Sequence, residues 1–187
     1  GRLLAHSAPW LQDIIVFALN TGMRRGEILN LQWQAIDLNR QVLVVMRSKN
    51  GEKRTVPLNG RLTDLLKRKA SKRAAGSFVF ASSAETLFDA RNLTRSFRLA
   101  ATKAALSDFR FHDLRHTFAT RLAQAGVDLY KVQRLLGHKT AAMTQRYAHH
   151  SPESLREGVL ILERVHPQIS QNYHNESGTV GECCASA

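Results

Sequence analysis

Residues 111–147 read FHDLRHTFATRLAQAGVDLYKVQRLLGHKTAAMTQRY, and the punctuation of this stretch decides what the chain builds. A helix is predicted from His112 to Ala125, stopped by Gly126. The next runs from Leu129 to Leu136, capped by Asp128, whose carboxylate can accept the free N–H groups of a first turn, and stopped by Gly137. After His138, Thr140 can cap a short helix reaching Tyr147. His112, Arg115, His138 and Tyr147 therefore fall at helix starts and turns, where side chains can converge.

Working outward, Asn92 to Leu106 and Thr63 to Ala75 also read as helices, the second of them basic, with Ser77 to Phe80 a short strand candidate. Residues 41 to 58 change period: Gln41 to Met46 and Lys53 to Val56 form a predicted β-hairpin around Asn50-Gly51, with Lys49 at its tip. Near the start, Ser7 can cap a helix opening at Pro9 and broken by Thr21-Gly22; a second carries Arg24 to Leu31, with Glu27 one turn from Arg24. Downstream, Ser151-Pro152-Glu153 opens a helix that aligns Leu155, Val159 and Leu162 and ends at Pro167. The expected fold is mainly α with a small antiparallel sheet: one domain over residues 1–166 and a disordered tail over 167–187. An opening without Met implies a fragment from which an upstream domain is missing.

A chain of 187 residues with 43% hydrophobic content can bury a core, and its longest apolar runs are far below the ~18 residues of a membrane span. No signal segment opens it, and the adjacent Cys183 and Cys184 cannot supply the spaced ligands of a structural zinc site, so a cytoplasmic protein is expected. The net charge of +12 is unevenly spread: residues 1–150 hold 25 basic and 10 acidic side chains, residues 151–187 hold 2 and 5. Such a surplus on one domain is the footprint of a nucleic-acid binder.

The chain has no phosphate-cradling glycine loop, no dinucleotide fingerprint and no carboxylate cluster for magnesium, which argues against nucleotide hydrolysis. Arg24, Lys49, His112, Arg115 and His138, followed by Tyr147, instead suit a phosphodiester. Two arginines can fork onto nonbridging oxygens and stabilise a pentacoordinate transition state, and tyrosine can be the nucleophile. A lone arginine or lysine is ordinarily a solvated charge, and a lone tyrosine a core residue; only their order and spacing lift these above that level. His112 and His116, four apart on a helix, invite a zinc reading, but the motif glutamate of metalloproteases is missing and an arginine stands beside any bound cation. No metal and no cofactor are expected.

Four segments, TGMRRGEILNL (21–31), KNGEKRTVPL (49–58), FHDLRHTFAT (111–120) and LLGH (135–138) with Tyr147 nine residues on, resemble in order the motif boxes of the tyrosine recombinases, the phage-integrase family. The match runs from about residue 10 to 150. The resemblance implies that Arg24 and Arg115 clamp the scissile phosphate and that Glu27 orients the surroundings of Arg24. Tyr147 would attack phosphorus, giving a 3′-phosphotyrosine and a free 5′-hydroxyl. Lys49 would protonate the departing 5′-oxygen, His112 would accept or assist the tyrosine proton, and His138 would hydrogen-bond a nonbridging oxygen.

The implied activity is site-specific recombination of duplex DNA without ATP or metal, by a phage-type integrase of a bacterium, phage or other mobile element. The implied assembly is a homotetramer on DNA, an isolated domain being monomeric, with an accessory DNA-bending protein a further partner. Arg91, Arg95 and Arg98 form one stripe on the helix that in the family approaches the major groove, suited to base readout or phosphate contact. Lys67-Arg68-Lys69 and Lys72-Arg73 are a denser cluster, equally a DNA contact or a solvated helix end. Two rival readings share these residues: a type IB topoisomerase-like enzyme that relaxes DNA, and a basic DNA-binding module without catalysis.

Overall fold

A computed structural model describes residues 1–46, 53–71, 77–82, 86–148 and 159–162. The chain divides into two compact units, Gly1–Ala148 and His149–Ala187. The first is mainly helical with one small sheet. Its helices are α1 (Arg2–Ala5), α2 (Pro9–Thr21), α3 (Arg25–Leu29), α4 (Gly60–Ser71), α5 (Ala90–Lys103), α6 (Asp113–Gln124), α7 (Leu129–Leu136) and α8 (Ala142–Gln145). Strands β1 (Ile36–Asp37), β2 (Val42–Met46) and β3 (Lys53–Pro57) form an antiparallel sheet in that order. Of the second unit, residues 159–162 are helical, and Val159 and Leu162 are exposed. Among the described residues, no helix is long and apolar enough to cross a membrane.

Helix α2 is the centre of the larger core. Leu11, Ile14, Ile15, Phe17 and Ala18 are buried on it, the broad apolar stripe expected from their spacing. It packs against α3, α4, α5 and α6, and Phe17 meets Phe80 edge to face at 5.1 Å between ring centres. Ser7 does not cap this helix: its hydroxyl donates to the carbonyl of Leu3, and Ala8 holds the N-cap position. Gly22 ends it in the left-handed conformation (φ 61°). A Cβ on Gly22 would run into the Phe118 ring and lie 3.0 Å from Leu136 Cδ2, so glycine is required both by the turn and by the close approach of α6 and α7.

The sheet follows the hairpin expectation, with Leu43 opposite Val56 and Val45 opposite Arg54. Leu43, Val45 and Val56 are buried, so this face turns inward, and Arg54 shares it. The Asn50-Gly51 turn lies outside the described residues, as do Lys72-Arg73, Leu155, Pro167 and the two cysteines. Ser77 to Phe80 is not a full strand. Phe78 makes one isolated bridge to Gln32, and backbone bonds from Trp33 N–H to Ser77 and from Val79 N–H to Leu31 tie the segment down. Helix α7 has the expected bounds: Asp128 accepts from the Lys131 N–H, and Gly137 is left-handed (φ 64°). Thr140 is not the cap of α8, whose N-cap position is held by Ala141.

A second, smaller cluster buries Phe118, Ala119, Val132, Leu136 and Tyr147 where α6, α7 and α8 meet.

Candidate active site

The turn after Gly22 sets the first site residue. Arg24 takes extended backbone at the N-cap of α3 (φ −71°, ψ 152°), which leaves its own N–H without a helical partner. Glu27, three residues on, accepts that N–H at 2.7 Å through Oε2, and accepts Arg24 Nη1 at 3.1 Å through Oε1. Arg24 stays partly open to solvent, with its side chain 38% exposed.

Arg115 is held more tightly. It is 4% exposed in the first turn of α6; its Nη1 donates to the Gly22 carbonyl and its Nη2 to the Leu136 carbonyl, each at 2.7 Å. Gly22 lies two residues before Arg24, and Leu136 two before His138. One buried guanidinium thus ties together the two turns that carry Arg24 and His138. Burial lowers the Arg115 pKa to about 10, helped by the charges of Arg24 and Arg54, which still leaves it cationic at neutral pH.

His138 follows the left-handed Gly137, and its Nδ1 lies 2.8 Å from Thr144 Oγ1. Burial, with the charges of Arg115 and Arg24, holds its imidazole down at about 4. His112, at the N-cap of α6, and His116, one turn on, meet edge to face at 4.9 Å. Both are also shifted downward, first by burial and then by neighbouring cationic or imidazole groups. Tyr147 is 5% exposed and packs in the smaller cluster beneath Arg146, whose guanidinium carbon is 5.8 Å from the ring centre. Burial raises the phenol pKa, against the pull of Arg146 and Arg115. Burial is the first cause of each shift; the imidazoles and Arg115 are lowered further by the crowded cations, a part that a bound anion would relieve, whereas the same cations oppose the rise at Tyr147.

The resemblance has His112 accept or assist the tyrosine proton. In the structure the group at the Tyr147 hydroxyl is His116, its Nδ1 2.5 Å from the oxygen.

Sequence reasoning also passed over Arg54. From β3 it sends Nη1 and Nη2 to the two carboxylate oxygens of Glu27, at 2.9 and 2.7 Å, and Nε to the Leu135 carbonyl at 3.0 Å. The fork holds Glu27 at a pKa of about 2: burial alone would raise it, but the Arg54 hydrogen bonds and charge, with those of Arg24, outweigh burial. The available signal was strand alternation, since Arg54 stands in register with the inward Val56 while Lys53 and Thr55 face out. Lys49 lies outside the described residues.

A groove of about 1260 Å³ opens beside Arg24 and His112, floored by Phe97 and Phe111 and flanked by Arg98 and Arg110. Arg91, Arg95 and Arg98 are exposed on α5 and, with Arg25, line an adjoining recess of about 750 Å³. The stripe read from the sequence is thus continuous with the site. Lys67 and Arg68 are exposed on α4, but Arg68 is paired with Asp13 at 2.8 Å.

The sequence of residues 2–154 matches the model of the phage integrase family. The chain belongs to this family. Its relatives include the integrase of Salmonella phage P22, 33% identical over 196 residues that take in 95% of this chain and 50% of the phage protein. Tyrosine recombinase XerA of Saccharolobus solfataricus is 34% identical over 147 residues, 79% of this chain and 48% of that protein. Among solved structures, XerA recombinase superposes with a TM-score of 0.71 at 28% identity, covering 88% of this chain and 60% of that one. A lambda integrase dimer bound to a core site superposes with a TM-score of 0.64 at 27% identity, covering 76% and 56%. The integrase-type fold expected from the motif boxes is the fold observed, and the chain spans about half the length of the first curated relatives it matches.

Proposed function

We propose that this chain is the catalytic domain, drawn at residues 1–166, of a site-specific DNA recombinase of the integrase type, and that it cleaves and rejoins duplex DNA through a 3′-phosphotyrosine. The observation that carries the reading is the Arg115 staple. By bonding to both Gly22 and Leu136 it brings the turns of Arg24 and His138 to one place, beside the helix on which His116 holds the Tyr147 hydroxyl. Arg24 and Arg115 neutralise the scissile phosphate, and His138 donates to a nonbridging oxygen. Tyr147 supplies the nucleophile, Lys49 the acid for the 5′-oxygen, and His112 accepts or assists the tyrosine proton. Glu27 fixes Arg24. The phosphotyrosine conserves the energy of the broken bond, so religation draws on no nucleotide.

The groove beside Arg24 and the stripe of Arg91, Arg95 and Arg98 form the DNA-facing surface, with Lys67 a peripheral phosphate contact. The acting form is a homotetramer on DNA in the cytoplasm of a bacterium or prophage host, with a DNA-bending protein as accessory. P22 integrase and the Xer recombinases, by name and by likeness, support this assignment. The test is incubation with nicked or supercoiled DNA carrying a candidate attachment sequence, denaturation, and a search for protein joined to a 3′ end, with Tyr147→Phe alongside. The expected result is an adduct with the wild type and none with Y147F; bound DNA without adduct overturns the reading. Relaxed circles without recombinant product would assign topoisomerase-like rejoining instead.

A further inference from the structure

The proton of the attacking tyrosine needs an acceptor, and the structure offers a specific one. His116 lies on α6, one turn after His112, with Nδ1 2.5 Å from the Tyr147 oxygen. The two ring centres are 6.0 Å apart at 44°, so the contact runs through the hydroxyl rather than by stacking. Tyr147 is 5% exposed and packs with Phe118, Val132 and Leu136, which fixes the ring that carries the hydroxyl.

We propose, as a refinement that rests on the reading above, that His116 is the general base that takes the phenolic proton of Tyr147 during strand cleavage. In this step the Tyr147 O–H bond breaks and its electron pair forms the new O–P bond. The proton passes to the Nδ1 lone pair of neutral His116, and the P–O5′ bond breaks as the 5′-oxygen takes a proton from the general acid. On rejoining, the His116 imidazolium returns its proton to the tyrosine oxygen. The groups around His116 favour this assignment. Burial first, then His112 and Arg115 on its own helix and Arg146 on the facing segment, lower its pKa, opposed by Asp113, and the entering phosphate offsets those cations when the imidazolium forms. Of the other two imidazoles in the site, His138 is engaged with Thr144 and His112 meets the His116 ring edge to face.

The test uses the full chain and a nicked duplex bearing the sequence the protein itself selects from a random pool. His116→Ala removes the base; His116→Asn keeps an acceptor oxygen near the Nδ1 position without basicity at neutral pH. Both are first checked for native helicity and DNA affinity, and H116N carries the test if H116A does not fold. The expected result is an adduct-formation rate reduced roughly 100-fold in each, with unchanged DNA affinity. The ascending limb of the wild-type pH–rate profile should be lost in both, and added imidazole should restore part of the rate to H116A. A substrate with sulfur at the bridging 5′ position should leave the defect in place, because that leaving group relieves only the need for an acid. Wild-type rate and pH profile in H116N, or rescue by the sulfur substrate, overturns the proposal. Absence of adduct from wild type overturns the recombinase reading and this proposal with it, which separates the two failures.

Discussion

The larger core, from Leu3 through Leu114, is closed by apolar contact around α2, whereas the smaller cluster of Phe118, Ala119, Val132, Leu136 and Tyr147 is tethered at its margins by polar bonds. Arg115 ties it to Gly22, Arg54 ties the Leu135 carbonyl to Glu27, and Thr144 and His116 hold His138 and Tyr147. Burial of apolar area is indifferent to direction, so the larger core makes a platform. Hydrogen bonds and ion pairs are directional, so the smaller cluster can aim the Tyr147 hydroxyl, at the cost of dependence on charge. Gly22 is the seam between them.

The largest loss is expected in the larger core. Phe17→Ala removes a fully buried ring from the larger core and should destabilise by about 4 kcal/mol, with loss of all helical signal in one transition on thermal denaturation followed by circular dichroism. A second transition in wild type or variant would show instead that the two regions melt independently.

Arg54→Ala should cost about 3 kcal/mol, because it leaves the largely buried Glu27 carboxylate without its forked partner. Amide exchange should rise more over residues 129–147 than over 9–21, with a smaller loss when Glu27→Gln is already present. Equal effects in both regions would show that the smaller cluster depends on Arg54 no more than the larger core does.

Acid should act in the same place. The folded pKa of Glu27, about 2, lies below its ordinary 4.5, so its contribution is fully present above pH 4.5 and is lost as pH falls from there toward 2. That loss is about 3 kcal/mol by linkage. His138, lowered from 6.5 to about 4, acts in the same direction across the window from pH 6.5 to 4, since the fold disfavours its charged form. Urea midpoints measured from pH 7 to 3 should therefore fall, and fall less in Arg54→Ala.

The mildest perturbation is Asp128→Ala, which removes the cap of α7 and should lower stability by about 1 kcal/mol in a thermal melt, leaving exchange in α2 unaltered.

The elements legible in the sequence are those written by neighbouring residues. Asp128 and Gly137 bracket α7, Gly22 ends α2, and the alternation of Val42 to Met46 and Lys53 to Pro57 specifies the paired strands. Strand β1 was not legible, because Ile36-Asp37 is a strand only by pairing with Leu43 and Val42. Nor was the true start of α2, where Ser7 turned back to Leu3 because its hydroxyl could bond the preceding turn.

By itself the sequence determined the family, through the order and spacing of its motif boxes, and with it the mainly helical fold and the residues expected at the site. Which side chain meets which was decided by tertiary structure alone. His116 reaches Tyr147 across 31 positions, Arg54 reaches Glu27 across 27, and Arg115 reaches Gly22 across 93. Spacing along a helix or strand assigns a side chain to a face. The partner on that face depends on how the elements pack, as where Phe118 of α6 and Leu136 of α7 close on Gly22, and no local pattern records that.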